Sequence, residues 1–540
     1  MANFYREPDR RQRFLLPVDM SDWVCEADMV HLLLDAIELV DLSAFEAHYT
    51  RRGVGAPPFS PSMMVCVLIY ADANGHRSSR KIERLCERDA GFRMIVGDEV
   101  PDHSVIARFR KRHRSAFEAL FAEVLKLCHS AGLVRLGVVA LDGTKVKANV
   151  SLSANRTAGP LAAEVAAMVS EAEAADAAED ALFGDERGDE LPADLRTRSG
   201  RSARLRACMD QLRAEADTAA ARQQEKIDAR AAEEEATGKR KRGRKPRPAG
   251  AEIDEDAKAN VTDPDSRIMK SRKGYLQGYN AQAVVTADQV ILASGVSNEA
   301  NDVHQLGPMI DKALAMAEAV TGEEDVRIAT ALMDAGYWSE DNVAMETADC
   351  EYLIATTKDW KQRKAMRDAP PPRGRTPRTL SARERMDRKL LTKRGRGLYR
   401  LRGQTVEPVF GQMKEIQRAD GFMMRGKEEV QGEWSLHCTG HNLRKLHAEA
   451  VRQGRKEANG FSTEPGNRAR PPPSSQAVSR RRQTMGSGHS ATGSKPECFV
   501  HRCHRRRSPR RAGPSAHRSR ARRSRRPAGC DDGRITRDGV

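Results

Sequence analysis

Ten cysteines are scattered over 540 residues without a single CxxC pair. That spacing excludes a disulfide framework and suits a reducing compartment. Nowhere do about 18 apolar residues follow one another, the length needed to span a bilayer, and the opening MANFYREPDRRQRF is too charged for a signal peptide. The sequence therefore predicts a soluble cytoplasmic protein with no membrane contact. The bulk of the chain also lacks a net charge. Residues 466–540 hold 20 of the 92 Lys and Arg and 4 of the 76 Asp and Glu, leaving 72 of each sign in residues 1–465. The overall charge of +16 thus belongs to the tail and says nothing about partners of the body.

Three acids stand in chemically legible settings: Asp142 in VVALDGTKVKAN, Asp334 in IATALMDAGYWS and Glu407 in YRLRGQTVEPVFGQMK. Asp142 and Asp334 each close an apolar, strand-like run, and Glu407 lies where a helix is expected to start. Taken singly, each has an ordinary reading. Asp before Gly, or in Asp-Ala-Gly, forms turns, and Glu407 with Thr405 as N-cap and Pro408 fits a first helical turn. Brought together by strand ends and a facing helix, three carboxylates would repel one another unless cations lay between them. Two Mg²⁺ ions, with Mn²⁺ as a substitute, could then activate an attacking oxygen and stabilise a leaving one at phosphorus.

The ordered set resembles the DDE transposases of bacterial insertion sequences, in the branch with a Y-R-E-K signature around the last acid. Tyr399 and Arg402 keep its first spacing, and Glu407 and Lys414 keep its last. Four residues, rather than three, separate Arg402 from Glu407. NVTDPDSRIMK, GYLQGYNAQAVV and WSLHCTGHNLRKLH also look like this family. The resemblance implies a ribonuclease-H-like catalytic domain, a mixed sheet with helices, in which Asp142, Asp334 and Glu407 hold the metals while Tyr399, Arg402 and Lys414 hold DNA. It further implies terminal inverted repeats and target DNA as double-stranded partners, self-association to at least a dimer, and a nucleoid setting. A host nuclease of the same fold and an inactive or domesticated DNA-binding copy are the alternatives.

Four regions follow. Residues 1–132 read as an all-α DNA-binding domain. In it RFRKRHR offers Arg108, Arg110, Lys111, Arg112 and Arg114 to phosphates, with a solvated helix face as the plain alternative. Ser115-x-x-Glu118 is a capping box. Residues 133–155 and 261–450 read as the α/β catalytic domain, with 358–396 as a basic loop and Asn280 and Gln282 on a strand as surface polarity or as contacts to DNA or the metal shell. Gly143 leaves room for DNA. Residues 156–260 read as a helical hairpin insertion or spacer broken at GDERGDELP. It ends in GKRKRGRKPRPAG, where Arg242 and Arg244 resemble the minor-groove core of an AT-hook or serve as a plain basic linker. Residues 451–540 read as a disordered basic tail, either a loose nucleic-acid contact or a product of read-through. Cys498, His501, Cys503 and His504 within it, like His437, Cys438 and His441 earlier, are composition and helix packing rather than zinc ligands.

Overall fold

The computed structural model describes residues 20–49, 57–165 and 198–460, apart from positions 242, 244, 247, 251, 252, 255, 272, 273, 324 and 325. The chain divides into a unit Met1–Pro465 and a unit Gly466–Val540, and only the first contains described residues. Arg242, Arg244, the break at 184–192 and the cysteine-histidine group of the tail lie outside them. Among the described residues no helix is long and apolar enough to cross a membrane.

Seven helices come first: α1 (Met29–Ile37), α2 (Ser43–Glu46), α3 (Pro61–Ala73), α4 (Ser79–Arg88), α5 (Ala90–Val96), α6 (His103–Arg112) and α7 (Ala116–Ser130). Asp28, Asp89 and Asp102 cap α1, α5 and α6 by accepting from backbone N–H groups, as short acceptor side chains do at helix starts. The capping box expected at Ser115 does not form. Ser115 has helical φ and ψ and makes no side-chain cap bond, while Glu118 pairs with Lys312. A helix already wound through the cap position leaves no extended residue for a box.

A six-stranded sheet follows. β1 (Val138–Lys147) lies between β5 (Gly274–Thr286), antiparallel, and β7 (Thr330–Met333), parallel. β4 (Arg267–Ser271) and β6 (Ile291–Ser297) pair antiparallel with β5, and β8 (Glu351–Ile354) pairs parallel with β7. β7 and residues 139–141 of β1 are buried, which is why these stretches read as near-continuous apolar runs. Between β1 and β4 the chain leaves the sheet. β2 (Asn155–Thr157) and β3 (Lys258–Asn260) form a two-stranded neck for the long helix α8 (Arg198–Thr237). Leu205, Cys208, Met209 and Leu212 of α8 pack with Leu161 and Ala259 at that neck, so the apolar stripe ends after two turns.

The remaining helices are α9 (Leu306–Thr321), α10 (Glu340–Ala344), α11 (Trp360–Asp368), α12 (Ala382–Leu391), α13 (Lys393–Glu415) and α14 (Lys427–Gly460). The expected basic loop 358–396 therefore contains two helices, each started by a capping side chain, Asp359 and Ser381. Helix α14 serves both halves of the unit. Leu436 and Leu443 enter the core of α1–α7, whereas Trp434 and Cys438 enter the core on one sheet face.

Candidate active site

Strand β1 delivers Asp142 and β7 delivers Asp334. Leu141 and Met333 are partners in the parallel register, so the two acids leave neighbouring strands at the same level. Each is steadied by a backbone N–H that follows it: the Gly143 N–H donates to Asp142 Oδ1 at 2.9 Å and the Gly336 N–H to Asp334 Oδ1 at 2.7 Å. The turn expected at Asp142 does not form, because Asp142 and Gly143 lie inside β1 and pair with Ala283 and Gln282; at Asp334 the turn and the acid coexist.

Glu407 arrives on α13, which is not the short helix expected. It runs 23 residues with Pro408 inside it, and Thr405 is no N-cap, its hydroxyl donating to the Leu401 carbonyl at 2.7 Å. Proline cannot donate to the carbonyl four residues back. Here that carbonyl, Gln404 O, accepts instead from Gln289 Nε2 at 2.8 Å, and the helix continues. Arg402, one turn before Glu407, places its guanidinium between two acids, 2.6 Å from Asp142 Oδ2 and 3.3 Å from Glu407 Oε1. Tyr399 Oη donates to the Met333 carbonyl at 3.1 Å, directly before Asp334. Lys414 Nζ donates to Thr144 Oγ1 on β1. All four members of the Tyr-Arg-Glu-Lys set thus lie on one helix, three of them with side chains turned to β1 or β7.

A fourth acid lies in the same place. Asp302, in the connection from β6 to α9, accepts at Oδ1 from Asn280 Nδ2 at 2.7 Å, Gln282 Nε2 at 3.0 Å and Lys145 Nζ at 3.3 Å. Asn280 and Gln282 are fully buried, not the surface polarity the alternation suggested. Both faces of β5 are covered at this level, so alternation there does not distinguish core from solvent. Nor does the space over Gly143 await DNA. A Cβ there would stand 2.3 Å from Gln282 Nε2, 2.8 Å from Asp302 Oδ1 and 2.9 Å from Asn280 Oδ1. Tyr337, buried beneath, donates to Gln282 Oε1. Sequence reasoning missed Asp302, since an Asp after a strand and before a helix looks like any connection residue.

The electrostatics follow from this crowding. Burial raises the Asp142 carboxyl to about 7; Arg402 opposes the rise, while Asp334 and Asp302 add to it. Burial likewise lifts the Tyr399 phenol to about 12 and depresses the Lys145 ammonium, against the pull of Asp302. For Arg402, burial works against the charge, but Asp142 and the other anions outweigh it, and its pKa is raised. The donor set at the carboxylates is all oxygen, the chemistry that hard divalent cations prefer. Moreover, Asn280 Oδ1 is a buried acceptor without a hydrogen-bond partner. These features fit a divalent metal.

The basic residues of α6 part company. Arg108, Lys111 and Arg112 are exposed, while Arg110 turns inward to donate to the Arg77 carbonyl at 2.6 Å and Arg114 pairs with Glu428 and Glu429. A second basic feature adjoins Tyr399: a cavity of about 660 Å³ lined by Arg363, Arg367, Arg396 and Arg400 with Leu390 and Met366. His437 and His441 are packing residues, one paired with buried Asp72 and the other 2.9 Å from the Gln289 carbonyl.

No curated protein and no solved structure matches the chain. Residues 19–112, which hold α1–α6, match the family model described as Transposase domain (DUF772). Residues 361–447, which hold Glu407 and the rest of the Tyr-Arg-Glu-Lys set, match the model described as Transposase DDE domain. These two matches indicate a transposase and support the DDE class, whose members cut DNA and use divalent metals.

Proposed function

We propose that the chain is an insertion-sequence transposase that binds the terminal inverted repeats of its element, cleaves DNA at their ends and joins the freed 3′-hydroxyl to target DNA. What supports this reading is that Asp142 and Asp334 stand at one level on adjacent parallel strands, while Arg402 on the facing helix pairs with both Asp142 and Glu407. The sheet path β4-β5-β1-β7-β8, with β6 also paired to β5, antiparallel as far as β1 and parallel beyond it, supports a ribonuclease-H-like fold for 133–155 and 261–450.

Asp142, Asp334 and Glu407 would hold two divalent ions, Mg²⁺ or Mn²⁺. Such ions activate the attacking oxygen and stabilise the leaving one. The remaining residues position the substrate. Lys414, two turns beyond Glu407 on the same face of α13, grips a phosphate beside the metals, and Tyr399 and Arg402 hold the flanking DNA strand. Arg108, Lys111 and Arg112 supply phosphate contacts from α6, and Arg242 and Arg244 supply them from the basic segment. Arg110 contributes through its hold on Arg77 rather than by direct contact. Two DNA ends must be held together, so the working form is at least a dimer, acting on the nucleoid in the cytoplasm.

The test is incubation with Mg²⁺ and DNA carrying the repeats that flank the gene. Nicking at the repeat boundary is expected, and it should vanish in Asp334→Ala. Nicking that survives the substitution sinks the assignment of the site, and binding without any nicking points to an inactive DNA-binding copy.

A further inference from the structure

We infer that Asp302 is a fourth carboxylate of the active site, and that together with Asp334 it binds a divalent cation. The inference rests on the reading of the site proposed above.

The geometry joins the two acids through a glycine. A Cβ on Gly336 would stand 2.8 Å from Asp334 Oδ1 and 2.9 Å from Asp302 Oδ2, so both oxygens lie within about 3 Å of one point. Any side chain at 336 would strike both oxygens, so only glycine fits beside them. Asn280, Gln282 and Lys145 all donate to Asp302 Oδ1, and they hold the carboxylate with Oδ2 turned toward Asp334.

A second observation points to a ligand. Asn280 is fully buried. Its Nδ2 donates to two acceptors, Asp302 Oδ1 and the Glu299 carbonyl, so chemistry fixes which amide atom is the oxygen. That oxygen has no hydrogen-bond partner and faces the space over Gly143, alongside Asp302 Oδ1. Leaving a buried acceptor unmatched costs about 1–3 kcal/mol, and a cation in the cluster is the partner it lacks. Lys145 balances one negative charge on Asp302, while Arg402 is already engaged by Asp142 and Glu407.

The experiment is a Mn²⁺ titration of the full chain without DNA, followed by loss of the free-ion electron paramagnetic resonance signal. Asp302→Asn keeps a carbonyl oxygen for the three donors and replaces the oxygen that faces Asp334 with an NH₂ group. Mn²⁺ affinity should fall about tenfold or more in Asp302→Asn, as it should in Asp334→Asn. Affinity within about twofold of the unmodified chain in Asp302→Asn, or no Mn²⁺ binding by the unmodified chain, overturns the inference. If thermal melting shows Asp302→Asn unfolded, Gly336→Ala carries the test. It retains all four acids but forces Asp302 and Asp334 apart, and it should weaken Mn²⁺ in the same way; unchanged affinity there overturns the inference equally. The outcome is separable from that of the transposase reading. Mn²⁺ held through Asp302 by a protein that never nicks DNA overturns only the latter, and specific nicking with Mn²⁺ binding indifferent to Asp302 overturns only the former.

Discussion

Arg402 is the residue on which the charge balance of the site turns. Its guanidinium spans Asp142 and Glu407 and opposes the rise that burial imposes on the Asp142 carboxyl. Since the folded-state pKa of Asp142 is raised from 3.8 to about 7, the folded chain binds more protons than the unfolded one between these values. Stability from this group is therefore present at low pH and is lost as pH rises from about 4 to about 7. We expect Asp142→Asn, which cannot ionise, to escape that loss. In metal-free buffer its stability relative to the unmodified chain should improve by about 1 kcal/mol per pH unit over this window. Denaturant melts at a series of pH values check this, and a difference independent of pH refutes it. Asp142 and Asp334 close apolar runs that are strands in the fold, as their sequence suggested, whereas Glu407 lies inside a helix that it was expected to open. Asp302 was not legible in the sequence, and for Asn280 and Gln282 surface polarity and a place at the site stood open, because what decides them comes from strands and connections distant in the chain.

Among the elements, α13 shows how a local rule is overridden. Pro408 reads as a first-turn proline, yet the helix passes through it because Gln289, on the turn between β5 and β6, caps the carbonyl left without a donor. Nothing within the helix's own sequence announces that partner. Helix α14 depends on a close crossing at Gly432, where a Cβ would stand 2.5 Å from the Arg114 carbonyl oxygen. That atom belongs to backbone and cannot swing aside. Gly432→Ala should thus destabilise the body by about 1–3 kcal/mol, read as a lowered denaturation midpoint; an unchanged midpoint would show that the α6–α7 turn yields freely. The two helices inside 358–396 are polar around most of their surface, so apolar periodicity could not reveal them, although their capping residues are visible.

For the body as a whole, a buried polar network ties the first seven helices to α14. Asp72 of α3 meets His437 and accepts from Gln417 Nε2 at 2.7 Å, and Arg77 reaches Glu433 and the Arg418 carbonyl. Removing Asp72 leaves the buried His437 ring and Gln417 amide without their acceptor, which is costly. Asp72→Ala should therefore cost about 1–3 kcal/mol, in a single unfolding transition if the helices and the sheet stand or fall together. Two separated transitions would show instead that the helical layer folds independently.

Residue order was enough to reveal the alternation of strand and helix, the three acids and the concentration of positive charge beyond residue 465, because period, caps and charge are local properties. Which strands became neighbours, where Arg402 came to rest and that Asp302 joined the acids are long-range outcomes. They depend on packing β5 against β1 and α13 across the sheet end, contacts between residues more than a hundred positions apart that no short window of sequence contains.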